Sequence, residues 1–340
     1  MPAPDRAAVR LILLALAALG AALPATAAAQ ADNPWLQRRV LNIAHQGGED
    51  EFPSNTLYAY RRALTVGADM LELDVGVTRD DRVIVMHDTS VDRVTDGRGD
   101  VRDKTLRQIR RLDAAYWFSG GRDAYSHDKP RRAYRLRGVA TGDRPPPRGF
   151  GAADFRVPTL REVLRAFPGT PVNIEIKGRD RRETEDQYLA NAEVLARELH
   201  GKRHRDLIVV SFDQAAVDRF HELVPSIDTA PGIGGAAGFL LGGQPLPAGS
   251  VAMQMPIRFT LAGETLDVTT TENVARAHAS GYAWQTWLSG TGQDAAGTWR
   301  TLLAQCVDGI MTARPRALER VLVADGVRGP GRRGSDPCAA

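Results

Sequence analysis

Cysteine is nearly absent from this chain, with two residues in 340, Cys306 and Cys338. That excludes a disulfide scaffold and a thiolate metal centre, both of which need more sulfur. Aromatic residues are sparse at 6%, and neither sign of charge predominates: 44 Lys and Arg stand against 41 Asp and Glu, a net charge of +3. Basic and acidic residues alternate without a long basic stripe, so nucleic acid is not expected as a partner. A long apolar run occurs only at the start, where Arg6 and Arg10 precede "LILLALAALGAAL" and an A-x-A site ends near Ala31. This pattern is that of a secretory signal peptide, residues 1–31, and predicts a secreted or periplasmic protein. No lipid-accepting cysteine follows the cleavage site, so release is expected rather than a stable membrane anchor. In an exported chain the two cysteines can pair, tying the Gly/Arg-rich tail (329–340, expected to be disordered) to the body, or Cys338 can remain free.

What is present alternates. Short Val- and Ile-rich runs, among them "VLNIAH", "MLELDV", "VIVMHD" and "VNIEIK", are separated by amphipathic stretches such as "TLYAYRRALTVG" and "TLREVLRAFPG". Repeated β–α units over residues 38–325 predict an α/β fold, a TIM (β/α)8 barrel. Nine runs compete for eight strands, so one lies outside the barrel; 228–233 and 251–256 are the least secure. Residues 117–156 break the rhythm with Gly, Pro and Arg, and are expected as a long inserted loop after the third strand.

Alternation along the strands sorts the side chains. In "LELDV", Glu72 and Asp74 share one face, while Leu71, Leu73 and Val75 share the other. The apolar set must meet the helices, so the carboxylates point to the barrel axis. "NIEIK" repeats this with Glu175 and Lys177. Three inward acids require compensation. A divalent cation held by oxygen ligands would supply it, Ca²⁺ or Mg²⁺ rather than Zn²⁺, and an acid–lysine network through Lys177 is the alternative. His45 and His87 end the first and third predicted strands, which places both at the C-terminal mouth as candidate acid and base. Their bland alternative is packing or metal ligation. The other histidines (His127, His200, His204, His221 and His278) are expected on the surface.

Together, "AHQGGEDEFPSNT", "GADMLELDV…VIVMHD…TDG", "VPTLREVLRAFPGTPVNIEIKG", "VVSFDQAAVDRF" and "VDGIMTARP" resemble, in order, the glycerophosphodiester phosphodiesterase family. The resemblance implies a TIM barrel that hydrolyses glycerophosphodiesters to sn-glycerol 3-phosphate and an alcohol. It places metal ligands on Glu72, Asp74 and Glu175, acid/base histidines on His45 and His87, and a phosphate-contacting lysine on Lys177. In the family scheme a substrate hydroxyl can attack phosphorus to give a cyclic phosphate that water opens. Trp287, in what the strand count makes the eighth unit, is a candidate apolar wall for the substrate, with core packing as its alternative.

Two positions depart from the family pattern. Gln46 stands where His-Arg-Gly has arginine, and Ser54 where Pro-Glu-Asn-Thr has glutamate. A neutral amide is a weaker phosphate donor than a guanidinium, so Gln46 is a candidate substrate contact of altered strength. Either the two charges were dropped as a unit, or Arg131, Arg132, Arg135 or Arg137 of the long loop restores the cation. Competing functions are a related barrel enzyme acting on lipid (lysophospholipase D-, sphingomyelinase D- or phosphatidylinositol phospholipase-like), marked by an apolar acyl channel, and a non-catalytic binding barrel. The oligomeric state is not legible.

Overall fold

The computed structural model describes residues 33–36, 40–178, 187–201, 206–261, 263–288, 293–329 and 338. The expected signal peptide, and the tail apart from residues 329 and 338, lie outside them.

β1 (Leu41–Ala44) leads through α1 (Leu57–Thr65) to β2 (Met70–Val77), and β3 (Val83–Val85) folds back antiparallel on β2. The short α2 (Leu106–Ile109) and the long excursion precede α3 (Leu160–Ala166), whose Thr159–Glu162 capping box closes its first turn. Three plain units follow: β4 (Val172–Ile176) with α4 (Tyr188–Leu199), β5 (Leu207–Val210) with α5 (Gln214–Leu223), and β6 (Asp228–Thr229) with α6 (Ile233–Gly242). β7 (Ala252–Met255) is followed by a hairpin, β8 (Arg258–Leu261) and β9 (Glu264–Asp267), and then by α7 (Thr271–Ala279). β10 (Ala283–Trp287) with α8 (Ala296–Ala304) and β11 (Gly309–Thr312) with α9 (Pro315–Ala324) complete the chain.

Eight of these strands are parallel and lie in the order β6-β5-β4-β2-β1-β11-β10-β7. A parallel bridge between Thr229 and Ser250 brings β6 beside the chain entering β7, so the sheet rounds into a TIM barrel. The surplus run is "VIVMHD", because β3 pairs antiparallel with β2 in a hairpin and joins no other strand of the barrel. Both insecure runs are barrel strands. β6 is two residues long; one residue after it comes Pro231, which has no N–H to continue the ladder. Trp287 consequently belongs to the seventh parallel strand, not an eighth unit.

The alternation in β2 and β4 is realised. Leu71, Leu73, Val75, Ile174 and Ile176 pack with Leu160, Val163 and Leu195 of the helices. Toward the axis, Leu41, Ile43, Met70, Ile208 and Met311 fill the lower barrel. Above them Gln254 donates to Asn173 (2.7 Å) and to Gln285 (2.9 Å), an amide floor beneath the mouth.

The stretch 117–156 is packed rather than loose. It holds helical turns at 131–133 and 152–155, and Phe155 stacks on Tyr58 of α1 with ring centres 4.6 Å apart. Cys306 and Cys338 are joined as a disulfide. No helix among the described residues is long and apolar enough to cross a membrane.

The segment just after α9 is locked by a buried cation. Arg328 pairs with Asp69 and Glu319 and donates to the Gly67 carbonyl (2.8 Å). Removing one partner of a buried pair strands the others. We expect Arg328→Met to lower unfolding stability by about 3 kcal/mol, read from the denaturant midpoint.

Candidate active site

Parallel pairing of β2 with β4 sets Asp74 opposite Glu175 and Glu72 opposite Asn173. Glu72 (1% exposed) and Asp74 (0%) are therefore forced together below the mouth. Among the described residues, Glu72, Asp74 and Glu175 can each offer one carboxylate oxygen within 4.8 Å of the others. Lys177 donates to Glu175 (2.5 Å) and lies 3.2 Å from Asp74 Oδ1. One ammonium against three carboxylates leaves an imbalance. Burial, and then Asp74, push the Glu72 carboxyl well above its usual range. Burial also disfavours charge on Asp74, but Lys177, His87 and His45 outweigh it and hold that carboxyl low. Glu72 Oε1 is buried with no hydrogen-bond donor, an oxygen suited to a cation. The donor set is all oxygen, so it fits a hard divalent ion.

His45 follows β1 directly and occupies a one-turn 3₁₀ segment with Gln46 and Gly47. Its Nδ1 lies 2.6 Å from Glu49 Oε1, and its Nε2 faces Glu72 Oε2 at 3.9 Å. Burial alone would lower its pKa; the carboxylates of Glu49, Glu72 and Asp74 overcome this and raise it to about 10. His87 lies two residues beyond β3, so a hairpin rather than a barrel strand carries it to the mouth. Its Nδ1 is 2.6 Å from Asp88 Oδ1, and Asp88 in turn accepts from Arg93 Nε (2.6 Å). Both rings thus have Nδ1 occupied by a carboxylate, which fixes the ring and presents Nε2. Glu49 and Asp88 were missed in the sequence. Their signal was position alone: Glu49 one helical turn beyond His45, and Asp88 beside His87.

His45, His87, Glu175, Lys177 and Trp287 line one cavity of about 390 Å³. Trp287 meets Phe212 edge-on, ring centres 5.9 Å apart, and Lys177 Nζ lies 5.7 Å from the centre of the Phe212 ring. Gln46 lies elsewhere. It is buried, its N–H donates to Glu72 Oε2 (2.7 Å), and its Oε1 accepts from Ser54 Oγ (2.6 Å). The two departures from the family pattern therefore meet in one uncharged contact. Asn55 beside them donates to Asp74 (3.0 Å) and accepts from Tyr60 (2.7 Å).

None of the four loop arginines lines the cavity. The Arg137 guanidinium sits over Tyr116, Trp117 and Tyr134, each within 4.5 Å. Arg131, Arg132 and Arg135 are exposed. Gly47 and Gly48 serve packing: a Cβ on Gly48 (φ +89°) would fall 2.7 Å from Pro315 Cδ. His278 and His221 are half-buried rather than surface residues, and His278 Nε2 lies 2.7 Å from Asp308. His204 lies outside the described residues.

Fold and site together define a barrel hydrolase of phosphoric diesters. The chain belongs to the glycerophosphoryl diester phosphodiesterase family, which it matches over residues 45–317. It is 34% identical over 223 residues to the glycerophosphodiester phosphodiesterase of Bacillus subtilis (strain 168), covering 64% of this chain and 68% of that protein. It is 48% identical over 141 residues to a Caldanaerobacter subterraneus glycerophosphodiester phosphodiesterase, covering 41% and 46%. In fold it is similar to an Oleispira antarctica phosphodiesterase solved with its product sn-glycerol-3-phosphate. That match has a TM-score of 0.58 and 18% identity, over 82% of this chain and 95% of that one.

The Asp88 carboxyl gives a pH prediction. Burial would raise it, but the His87 hydrogen bond and the Arg93 charge hold it well below its ordinary 3.8. A depressed carboxyl stabilises the fold above its ordinary pKa and loses that contribution as the pH falls through the folded value. We expect Asp88→Asn to unfold at lower denaturant than wild type at neutral pH, the difference closing in strong acid.

Proposed function

We propose that the chain hydrolyses glycerophosphodiesters to sn-glycerol 3-phosphate and an alcohol. The observation that carries this reading is the convergence of His45, His87, Glu175 and Lys177 on one cavity, above the buried carboxylates of Glu72 and Asp74. Glu72, Asp74 and Glu175 would hold a divalent cation, Ca²⁺ or Mg²⁺. When bound, that ion polarises a phosphoryl oxygen and offsets the carboxylate field that keeps His45 protonated.

Lys177 places its ammonium beside the same oxygens and contributes positive charge as negative charge builds on the phosphoryl group. One imidazole takes the proton of the attacking hydroxyl or water, and the other gives a proton to the departing alkoxide. Glu49 and Asp88 hold the two rings so that Nε2 faces the substrate. Trp287 supplies an apolar wall. Gln46 acts from below through its N–H on Glu72, so its influence on the substrate passes through that carboxylate. A secreted or periplasmic location accords with the N-terminal segment and with the Cys306–Cys338 disulfide.

The test is release of glycerol 3-phosphate from glycerophosphocholine and glycerophosphoethanolamine with Ca²⁺, Mg²⁺ or EDTA. We expect release with a divalent ion and none in EDTA. His45→Ala and His87→Ala should each lower kcat by at least ~100-fold, and Glu175→Gln should raise the metal concentration required. A His87→Ala enzyme with the wild-type rate would remove the acid/base assignment. Calorimetric titration with the same ions should show binding to wild type and its loss in Glu72→Gln.

A further inference from the structure

Charges of both signs are interspersed along most of the chain, and one stretch departs from this. Residues 129–148 carry Lys129, Arg131, Arg132, Arg135, Arg137, Arg144 and Arg148 against a single acid, Asp143. Seven cations less one anion make +6 in this stretch, whereas the whole chain carries +3, so the rest of the protein carries −3. Arg137 is held among aromatic rings, and Lys129 donates to Ser119 Oγ (2.9 Å). The other five are exposed. Elsewhere exposed arginines are answered by carboxylates, as in Arg161–Glu198, Arg258–Asp267 and Arg300–Asp325. None of these five forms an ion pair with a described residue, and none lines either large cavity.

The fold gathers them. Arg131 and Arg132 lie in one helical turn, Arg135 follows it, and the Arg144 guanidinium donates to the Arg135 carbonyl. Beneath them Tyr134 is buried, its hydroxyl donating to the Ser126 carbonyl (2.7 Å). Val139 and Ala140 pack with Tyr58 in the first turn of α1, and the Gly121 N–H donates to the Asp50 carbonyl (2.7 Å) in the loop after β1. The segment is thus fastened at the mouth end of the barrel and presents a plate of like charges outside the catalytic cavity. Those charges repel one another, and an anionic surface brought to them relieves the repulsion.

The surroundings of the plate select among anionic surfaces. Its aromatic rings face inward: Trp117 packs on Tyr134 and Phe150 on Phe155, which leaves no ring on which nucleic-acid bases could stack. On the far side of the mouth, where α6 and the β8–β9 hairpin follow β6 and β7, Ile233, Leu241 and Leu266 are exposed. A nucleic acid gains nothing from such side chains, whereas the headgroup boundary of a bilayer accepts them. We infer that residues 131–148 form a docking plate for an anionic lipid surface, the arginines meeting lipid phosphates and the α6–hairpin rim meeting the apolar boundary. Docking of this kind holds the protein reversibly at a membrane and is independent of the reaction that the cavity carries out.

The test is cosedimentation of the chain as exported with vesicles of phosphatidylcholine, and of phosphatidylcholine mixed equally with phosphatidylglycerol. We expect binding to the anionic vesicles at low salt, weakened as salt rises, and little to the neutral ones. A basic residue near an anionic surface is worth roughly fivefold in partition. The variant Arg131→Gln/Arg132→Gln/Arg135→Gln/Arg144→Gln should therefore bind at least ~100-fold more weakly, while unfolding at the wild-type denaturant midpoint. Arg161→Gln/Arg219→Gln/Arg258→Gln/Arg300→Gln removes the same charge from paired positions and should bind as wild type does. Equal loss in the two variants would assign the effect to net charge and overturn the docking plate. Equal binding to both kinds of vesicle, or binding to neither, would also overturn it. A duplex oligonucleotide bound more tightly than the anionic vesicles would assign the plate to nucleic acid and overturn the lipid surface as its partner.

Discussion

Three carboxylates on the inner face of two adjacent parallel strands, answered by one ammonium, are the constraint around which this protein is arranged. Strand alternation makes the burial of Glu72 and Asp74 unavoidable once Leu71, Leu73 and Val75 pack outward. Register then adds Glu175 beside them. Their neighbours follow from that negative charge. Lys177 lies across two of the acids, the Gln46 N–H and the Asn55 amide donate to the other faces, and His45 is drawn to high basicity. The amide floor of Asn173, Gln254 and Gln285 keeps the carboxylates from resting directly on hydrocarbon.

This much was legible because strand period two is a strong local rule. "LELDV" and "NIEIK" each separate their faces without reference to anything distant, and the order of the motifs carried the barrel. The sequence was silent where geometry is non-local. "VIVMHD" has the composition of a barrel strand, and only its antiparallel pairing with β2 shows that it is a hairpin arm. The polar partners of the histidines were hidden for the opposite reason: Glu49 and Asp88 lie so near in sequence that they resemble ordinary surface acids.

The apolar lining of the catalytic cavity was hidden more deeply. It does not come from the long segment 117–156, whose aromatic residues pack against one another and against α1. The wall is built instead from α6, a glycine-rich helix without a clear apolar stripe, and from a hairpin whose β9 is exposed at every residue. Neither has a periodicity that reads as a site. Their meaning comes from adjacency to His45 and Lys177 across the barrel mouth.

The neutral Gln46–Ser54 contact has a kinetic consequence. An arginine near a barrel mouth projects a field to roughly 8 Å in physiological salt and steers anions before they touch the protein. Here that position carries no charge, and its amide is turned inward to a hydroxyl. Capture of a phosphodiester consequently depends less on long-range attraction and more on surface contact, so the encounter step should be comparatively indifferent to ionic strength.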